Sequence, residues 1–167
     1  MSAAGSNSMH HVVLGLGSNI SPEQYIPKSV ELLRRYVRVE AVSTAWETPA
    51  VGFEGPDFLN AASLIQTPFL ADMLKERVIR VIESQLDRIR TANRYAPRTI
   101  DLDILIFDGE VKYPSIWKYA YLAVPIAEIF PELTHPETGE TISQAAERLA
   151  KITRIEARPD VLPGHVV

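Results

Sequence analysis

Two carboxylates and a cluster of guanidinium groups are the side chains in this sequence best placed to do chemistry. Asp101 and Asp103 stand two apart in Arg98-Thr99-Ile100-Asp101-Leu102-Asp103. Side chains alternate across a strand, so both carboxylates point to one face, about 7 Å apart along it. Leu102, Ile104 and Ile106 are expected on the other, apolar face. Aspartate is disfavoured in strands and two on one face repel each other, a cost that a cation relieves. Magnesium takes oxygen ligands, commonly one or two protein carboxylates plus substrate phosphates. The plainer alternative is two solvated aspartates at a strand end. Just upstream, Arg88, Arg90, Arg94 and Arg98 fall within eleven residues. Arginine's planar fork is the usual clamp for phosphate. Carboxylates for metal beside cations for phosphate are what phosphoryl transfer requires. A solvated helix end with arginines suited to its dipole is the competing account, and the neighbouring acid pair weighs against it.

Other residues carry weaker signals. Glu83, Asp87 and Arg90, with Arg80, recur on the helix face away from the leucine stripe, and spacing alone reads them as exposed ion pairs of little worth. Gly15-Leu16-Gly17-Ser18-Asn19 follows a strand but lacks the third glycine and distal acid of a dinucleotide site, and reads as a tight turn that lines a pocket. Phe58 and Asn60 share a strand face. An aromatic ring plus a carboxamide suits a flat heterocycle with donors and acceptors; a core Phe and a turn Asn is the equal alternative.

The elements that must position these residues follow from pattern. Residues 1–10 read as a disordered leader, 11–153 as one domain, and 154–167 as an extended, surface-bound tail. A strand is expected over 11–17, then a helix capped by Ser21 with Pro22 at its first position and running to Tyr36. Strands follow over 37–46 and 58–66, separated by a Gly- and Pro-rich loop. A long helix is expected from Pro68 to Ile89, burying Leu70, Leu74, Val78, Val81, Leu86 and Ile89. A strand over 101–107 closes in the turn Asp108-Gly109, with a return through Val111. Short helices are expected over 125–130 and 143–150. Strand–helix–strand–strand–helix–strand is the split βαβ, or ferredoxin-like, pattern: an α+β sandwich of an antiparallel sheet with two helices on one face.

Composition narrows function. The 167 residues suit a single core. The net charge of −4 argues against nucleic acid, which cationic surfaces bind. Without cysteine there is no thiolate nucleophile and no zinc–sulfur site. No apolar run is long enough to span a bilayer, and no signal peptide is recognisable, so a cytoplasmic location is expected.

The run Arg94-Tyr95-Ala96-Pro97-Arg98-Thr99-Ile100-Asp101-Leu102-Asp103 resembles the signature of 6-hydroxymethyl-7,8-dihydropterin pyrophosphokinases, enzymes of folate biosynthesis. Gly17-Ser18-Asn19, Thr48-Pro49, Asp57-Phe58-Leu59-Asn60-Ala61 and Pro125-Ile126-Ala127-Glu128-Ile129 resemble other blocks of that family, in order. The resemblance covers about residues 11–150. It implies transfer of pyrophosphate from Mg·ATP to the pterin alcohol with release of AMP, and two Mg²⁺ ions held by Asp101 and Asp103. It implies catalytic roles for Arg88, Arg90 and Arg98. It places Glu83, Arg88, Arg98, Ile104 and Lys118 beside ATP, and Thr48, Pro49, Val51, Phe58, Asn60, Tyr95 and Tyr121 around the pterin. Its partners are then small molecules, with neither nucleic acid nor membrane, and the protein is a monomer by default.

The chain departs from the family after Val111. A Pro-His pair and an Arg-Gly-Phe block are expected there. The segment reads instead Lys112-Tyr113-Pro114-Ser115-Ile116-Trp117-Lys118-Tyr119-Ala120-Tyr121, shortened and without histidine. Tyr119 falls at the arginine and Tyr121 at the stacking phenylalanine, leaving Lys112 or Lys118 to supply charge. These departures motivate two alternatives: a diverged paralogue with another donor or acceptor, and a non-catalytic pterin- or nucleotide-binding protein.

Overall fold

A computed structural model describes residues 8–93 and 95–166. Most of the expected leader, and Arg94, lie outside the described residues. The sheet is antiparallel throughout. Strands β1 (His10–Ser18), β2 (Arg38–Thr44), β4 (Phe58–Thr67), β5 (Asp101–Phe107), β6 (Glu110–Val111) and β8 (Pro163–Val166) run in the order β6-β5-β1-β4-β2-β8. Short strands β3 (Trp46–Thr48) and β7 (Glu156–Ala157) extend it beside β4. With β5-β1-β4-β2 at its centre, this is the expected α+β ferredoxin-like arrangement.

Both faces of the sheet are covered, not one. Helix α1 (Pro22–Tyr36) lies on the first face with a rod of α2 (Ala71–Leu74), a π-helical turn (Lys75–Ile79) and α3 (Arg80–Gln85). Val12, Leu14 and Leu16 of β1 pack there against Ile26, Val30 and Leu33 of α1 and Leu74, Val78 and Ile82 of the rod. Helices α4 (Ala120–Ile129) and α5 (Ile142–Ala150) cover the second face, over Val13, Ala62, Leu105 and Ile106.

Local departures from the expected elements have physical causes. Ser21 adopts a left-handed conformation (φ 43°) and its side chain does not cap α1; its carbonyl accepts from the Gln24 and Tyr25 N–H groups, and Pro22 sets the first helical φ. The π-turn shifts the helical phase, and the rod buries Leu74, Val78, Ile79, Ile82, Glu83 and Leu86. The rod stops at Gln85, with Asp87 at positive φ. Leu70 and Ile89, expected inside, are therefore exposed, and Val81 is only half-buried. A bulge between Val13 and Leu14 shifts the β1–β5 register, so Ile106 crosses to the second face with Leu105. The glycines of β1 lie within the strand, not in a tight turn, since β1 continues to Ser18. The segment after Arg154 is extended and hydrogen-bonded: β7 pairs with β3 and β8 with β2.

Candidate active site

Asp101 and Asp103 face the second side of the sheet, opposite Gly17 and Gly15 of β1. Helices α4 and α5 leave this end of the face uncovered, and a cavity of about 480 Å³ opens there. Phe58 and Asn60 of β4, Thr48 and Pro49 at the end of β3, Val51, Phe53 and Tyr95 from two loops, and Arg98 all line it. Tyr113, Ser115, Tyr119 and Tyr121 form the wall across from the sheet.

The absence of side chains at Gly15 and Gly17 shapes the floor. A Cβ at Gly17 would lie 3.3 Å from Asn60 Oδ1, and one at Gly15 would meet Leu105 Cδ1 at 2.9 Å. Asn60 is buried and its Nδ2 donates to Thr48 Oγ1 at 2.8 Å. With that amide orientation Oδ1 remains as an acceptor, and the Thr48 hydroxyl keeps its own proton to donate. Phe53 meets Phe58 edge-on at 6.5 Å between centroids and Tyr95 at 5.1 Å, so three rings form one aromatic border. Tyr119 and Tyr121 stack at 5.6 Å. Burial pushes the Tyr121 phenol up to about 12, so it stays a neutral hydroxyl.

The acid pair is electrostatically loaded. Burial, then the charge of Asp101 and a hydrogen bond with it, pushes the Asp103 carboxyl up to about 7. Asp101 is held from behind: Arg88 Nη1 reaches Oδ1 at 3.1 Å and Arg98 Nη1 reaches Oδ2 at 3.2 Å. Arg88 also donates to the Ile100 carbonyl at 2.7 Å. Among the described residues no group of three or more His, Cys, Asp or Glu side chains gathers as a complete metal site. Two partly buried carboxylates on an open cavity fit a divalent cation whose remaining ligands would come from a bound phosphate and water.

Glu83 lies farthest from the exposed position that its spacing predicts. It is buried, not on an exposed face, because the π-turn rotates it under β5. Its Oε2 accepts the Leu102 N–H at 3.0 Å and lies 3.7 Å from Arg88 Nη1, while its Oε1 pairs with Arg90. Glu83 thus fixes the arginines that stand behind the acid pair. Arg80 instead pairs with Glu76, and Asp87 accepts from the Tyr25 hydroxyl.

Arg88, Arg90 and Arg98 line a second, smaller cavity of about 220 Å³ with Thr91, Asn93 and Pro97. Arg98 borders both cavities. Its main chain is pinned by Asn19, whose Oδ1 accepts the Arg98 N–H at 2.7 Å and whose N–H donates to the Arg98 carbonyl at 3.1 Å. The Gly-Ser-Asn block therefore holds the arginine loop.

Of the residues expected around the pterin, all seven line the larger cavity. Those expected beside ATP divide. Arg88 and Arg98 meet at the acid pair, and Glu83 sits behind them. Ile104 lies on the opposite face against the first core, and Lys118 is exposed and outside both cavities. Lys112 pairs with Glu110 at 2.9 Å instead of entering the site. Tyr113, Tyr119 and Ser115 stand where that charge was sought. Phe53, Tyr113 and Ser115 line the cavity without being expected there from sequence; for Phe53 the signal is an aromatic between Gly52 and Gly55 in a loop beside Thr48-Pro49.

Fold and cavity together define a class: a small α+β phosphotransferase with a flat aromatic slot beside an acid pair backed by arginines. Comparison with known proteins gives the family. The family model for 7,8-dihydro-6-hydroxymethylpterin-pyrophosphokinase (HPPK) matches residues 13–131. A 2-amino-4-hydroxy-6-hydroxymethyldihydropteridine pyrophosphokinase from Aquifex aeolicus (strain VF5) is 34% identical over 138 residues, covering 77% of this chain and 85% of the relative. The enzyme of that name from Methylorubrum extorquens (strain AM1) is 36% identical over 162 residues, 89% of this chain and 100% of the relative. Among solved structures, Plasmodium falciparum HPPK-DHPS shares the fold with a TM-score of 0.68 at 12% identity. That match covers 85% of this chain, which spans only 44% of the length of the solved one. The chain belongs to the pyrophosphokinase family, as its signature run implied.

Proposed function

We propose that this protein transfers pyrophosphate from Mg·ATP to 6-hydroxymethyl-7,8-dihydropterin and releases AMP. The observation that carries this reading is one cavity holding both the Asn60–Thr48 hydrogen-bonding edge with its aromatic border and the Asp101–Asp103 pair. Asn60 Oδ1 and the Thr48 hydroxyl read the polar edge of the heterocycle, and Phe58 and Tyr121 flank its rings. This fixes the hydroxymethyl group toward the acid pair, and orientation of this kind is a main source of rate in phosphoryl transfer. Asp101 and Asp103 are the ligands for magnesium, with two ions expected. Bound magnesium supplies neutralisation of the charge that builds on the transferring phosphates. Arg98 stands at the boundary of the two cavities and suits the phosphate chain as it passes between them, with Arg88 and Arg90 on the far side. A single soluble chain acting on small molecules in the cytoplasm belongs to the same reading.

Incubation with ATP, Mg²⁺ and the pterin alcohol is expected to give AMP at a rate that depends on the pterin. AMP no higher than without pterin overturns the proposal. A second reading, a diverged paralogue with another donor or acceptor, is favoured by the wall of Tyr113, Ser115 and Tyr119, which offers neutral hydroxyls where cations were expected. Ordinary turnover with these two substrates removes it.

A further inference from the structure

The C-terminal segment lies beyond the family match, which stops at residue 131. Its contacts converge on the loop that walls the heterocycle slot. The strand path breaks at Ala45, between β2 and β3, and the break exposes a backbone donor and acceptor that need partners. The segment supplies both: Ala45 N–H donates to the Leu162 carbonyl at 3.0 Å, and Arg158 N–H donates to the Ala45 carbonyl at 2.7 Å. Strand β7 continues this by pairing Ala157 with Trp46 and Glu156 with Glu47.

Two arginines then hold the ends of the loop. Arg158 Nη1 reaches Glu47 Oε1 at 2.6 Å, and the same guanidinium bonds Asp160 at 3.1 and 3.0 Å. Arg154 grips Asp57 with two bonds of 3.0 and 3.1 Å. Glu47 and Asp57 bracket the stretch that contains Thr48, Pro49, Val51, Gly52 and Phe53, all of which line the cavity. The Arg154 hydrogen bond is the main cause holding the Asp57 carboxyl below its ordinary range. Glu47 and Asp57 stand close to each other, so the two loop ends carry adjacent acids, each neutralised by its own arginine. Exposed ion pairs of this kind add little to global stability. Their geometric effect is larger, because small displacements of a substrate-positioning group cost rate and affinity.

We propose that residues 154–162 are a positioning element for the acceptor loop, with Arg154 and Arg158 acting through Asp57 and Glu47. The inference rests on the reading of this cavity as the acceptor site. It is tested in the full chain with Arg154→Ala and Arg158→Ala. In the ligand-free protein, amides of the paired loop ends, residues 46–48 and 58–60, are expected to exchange with solvent about 10-fold faster in the variants, as a locally released segment does. The KM for 6-hydroxymethyl-7,8-dihydropterin is expected to rise about 5- to 10-fold while the KM for ATP stays within about twofold. Exchanging the pair, Arg154→Asp with Asp57→Arg, is expected to restore loop protection and KM toward wild type. Unchanged exchange in both single variants, or an equal rise of both KM values, overturns the inference. If the wild-type protein does not turn over the pterin, the proposed function fails, and the exchange measurement alone decides whether the segment holds the loop.

Discussion

At the residue scale, the two aspartates do different work. Asp101 is shared by Arg88 and Arg98, so its removal leaves two guanidiniums without their carboxylate. Asp101→Ala is expected to abolish AMP release and also to cost about 1–3 kcal/mol of stability, read by denaturant unfolding. Asp103 is held mainly against burial and the neighbouring charge. Asp103→Asn is expected to lower kcat by about 100- to 1,000-fold while Tm holds or rises, since a buried like charge is removed. Its pH behaviour follows from the same cause. A carboxyl raised to about 7 in the folded protein favours the folded state below its ordinary pKa of 3.8 and loses that contribution as pH climbs through 7. In the metal-free protein this group is expected to lower Tm as pH rises from 5.5 to 8, a slope absent in Asp103→Asn. Mg²⁺ with a nucleotide is expected to flatten the slope, because the cation favours the ionised form. A slope that Asp103→Asn leaves intact contradicts the assignment.

At the element scale, the site depends on where the α2–α3 rod delivers Glu83 and on how close β1 lets β4 and β5 come. Glu83 is a buried carboxylate that holds a backbone N–H of β5 and two arginines. Glu83→Ala leaves the buried Leu102 N–H without its acceptor and Arg88 with Asp101 alone, and a loss of about 1–3 kcal/mol is expected from unfolding curves. Glu83→Gln, which keeps the acceptor for Leu102, is expected to lose less stability and yet weaken ATP binding through misplaced Arg88. Strand β1 contributes by omission. Gly17→Ala places a methyl group 3.3 Å from Asn60 Oδ1. Displacement of that carboxamide is expected to raise the KM for the pterin several-fold with little change in Tm, and equal effects on both substrates contradict the role given to Asn60.

At the scale of the whole molecule, the C-terminal segment completes the sheet. Strand β8 covers the edge of β2, and Val161 and Leu162 pack against the first core. Glu128 of α4 binds the same region: it accepts from the Thr44 N–H and hydroxyl at 3.0 Å and from Trp46 Nε1 at 2.6 Å. This gives the Pro125-Ile126-Ala127-Glu128-Ile129 block a structural duty, the locking of the second-face helix to the β2–β3 break. Removal of residues 154–167 is expected to lower Tm by about 5–10 °C, with a larger effect on pterin binding than on ATP binding. No helix among the described residues is long and apolar enough to cross a membrane.

The alternation of Asp101, Leu102 and Asp103 placed the acid pair on one strand face, and the apolar periods gave the order of helices and strands. Local chain geometry is sufficient for both, which is why the shared face of the acid pair and the α+β order were legible along the chain, while the pterin-side residues that line the larger cavity were indicated by the resemblance of short sequence blocks and not by periodicity. Phase, partnership and closure were not. The π-turn that buries Glu83 and the bulge that turns Ile106 are single-residue shifts that only packing against the sheet selects. Pairing of Arg154 with Asp57 joins residues 97 apart in the chain, and no local pattern encodes a contact at that separation. The tertiary structure alone decided that Lys112 turns away to Glu110, that tyrosines form the opposite wall, and that the tail closes the edge beside the slot. Those choices depend on which surfaces meet, and sequence spacing records only which side chains are available to meet.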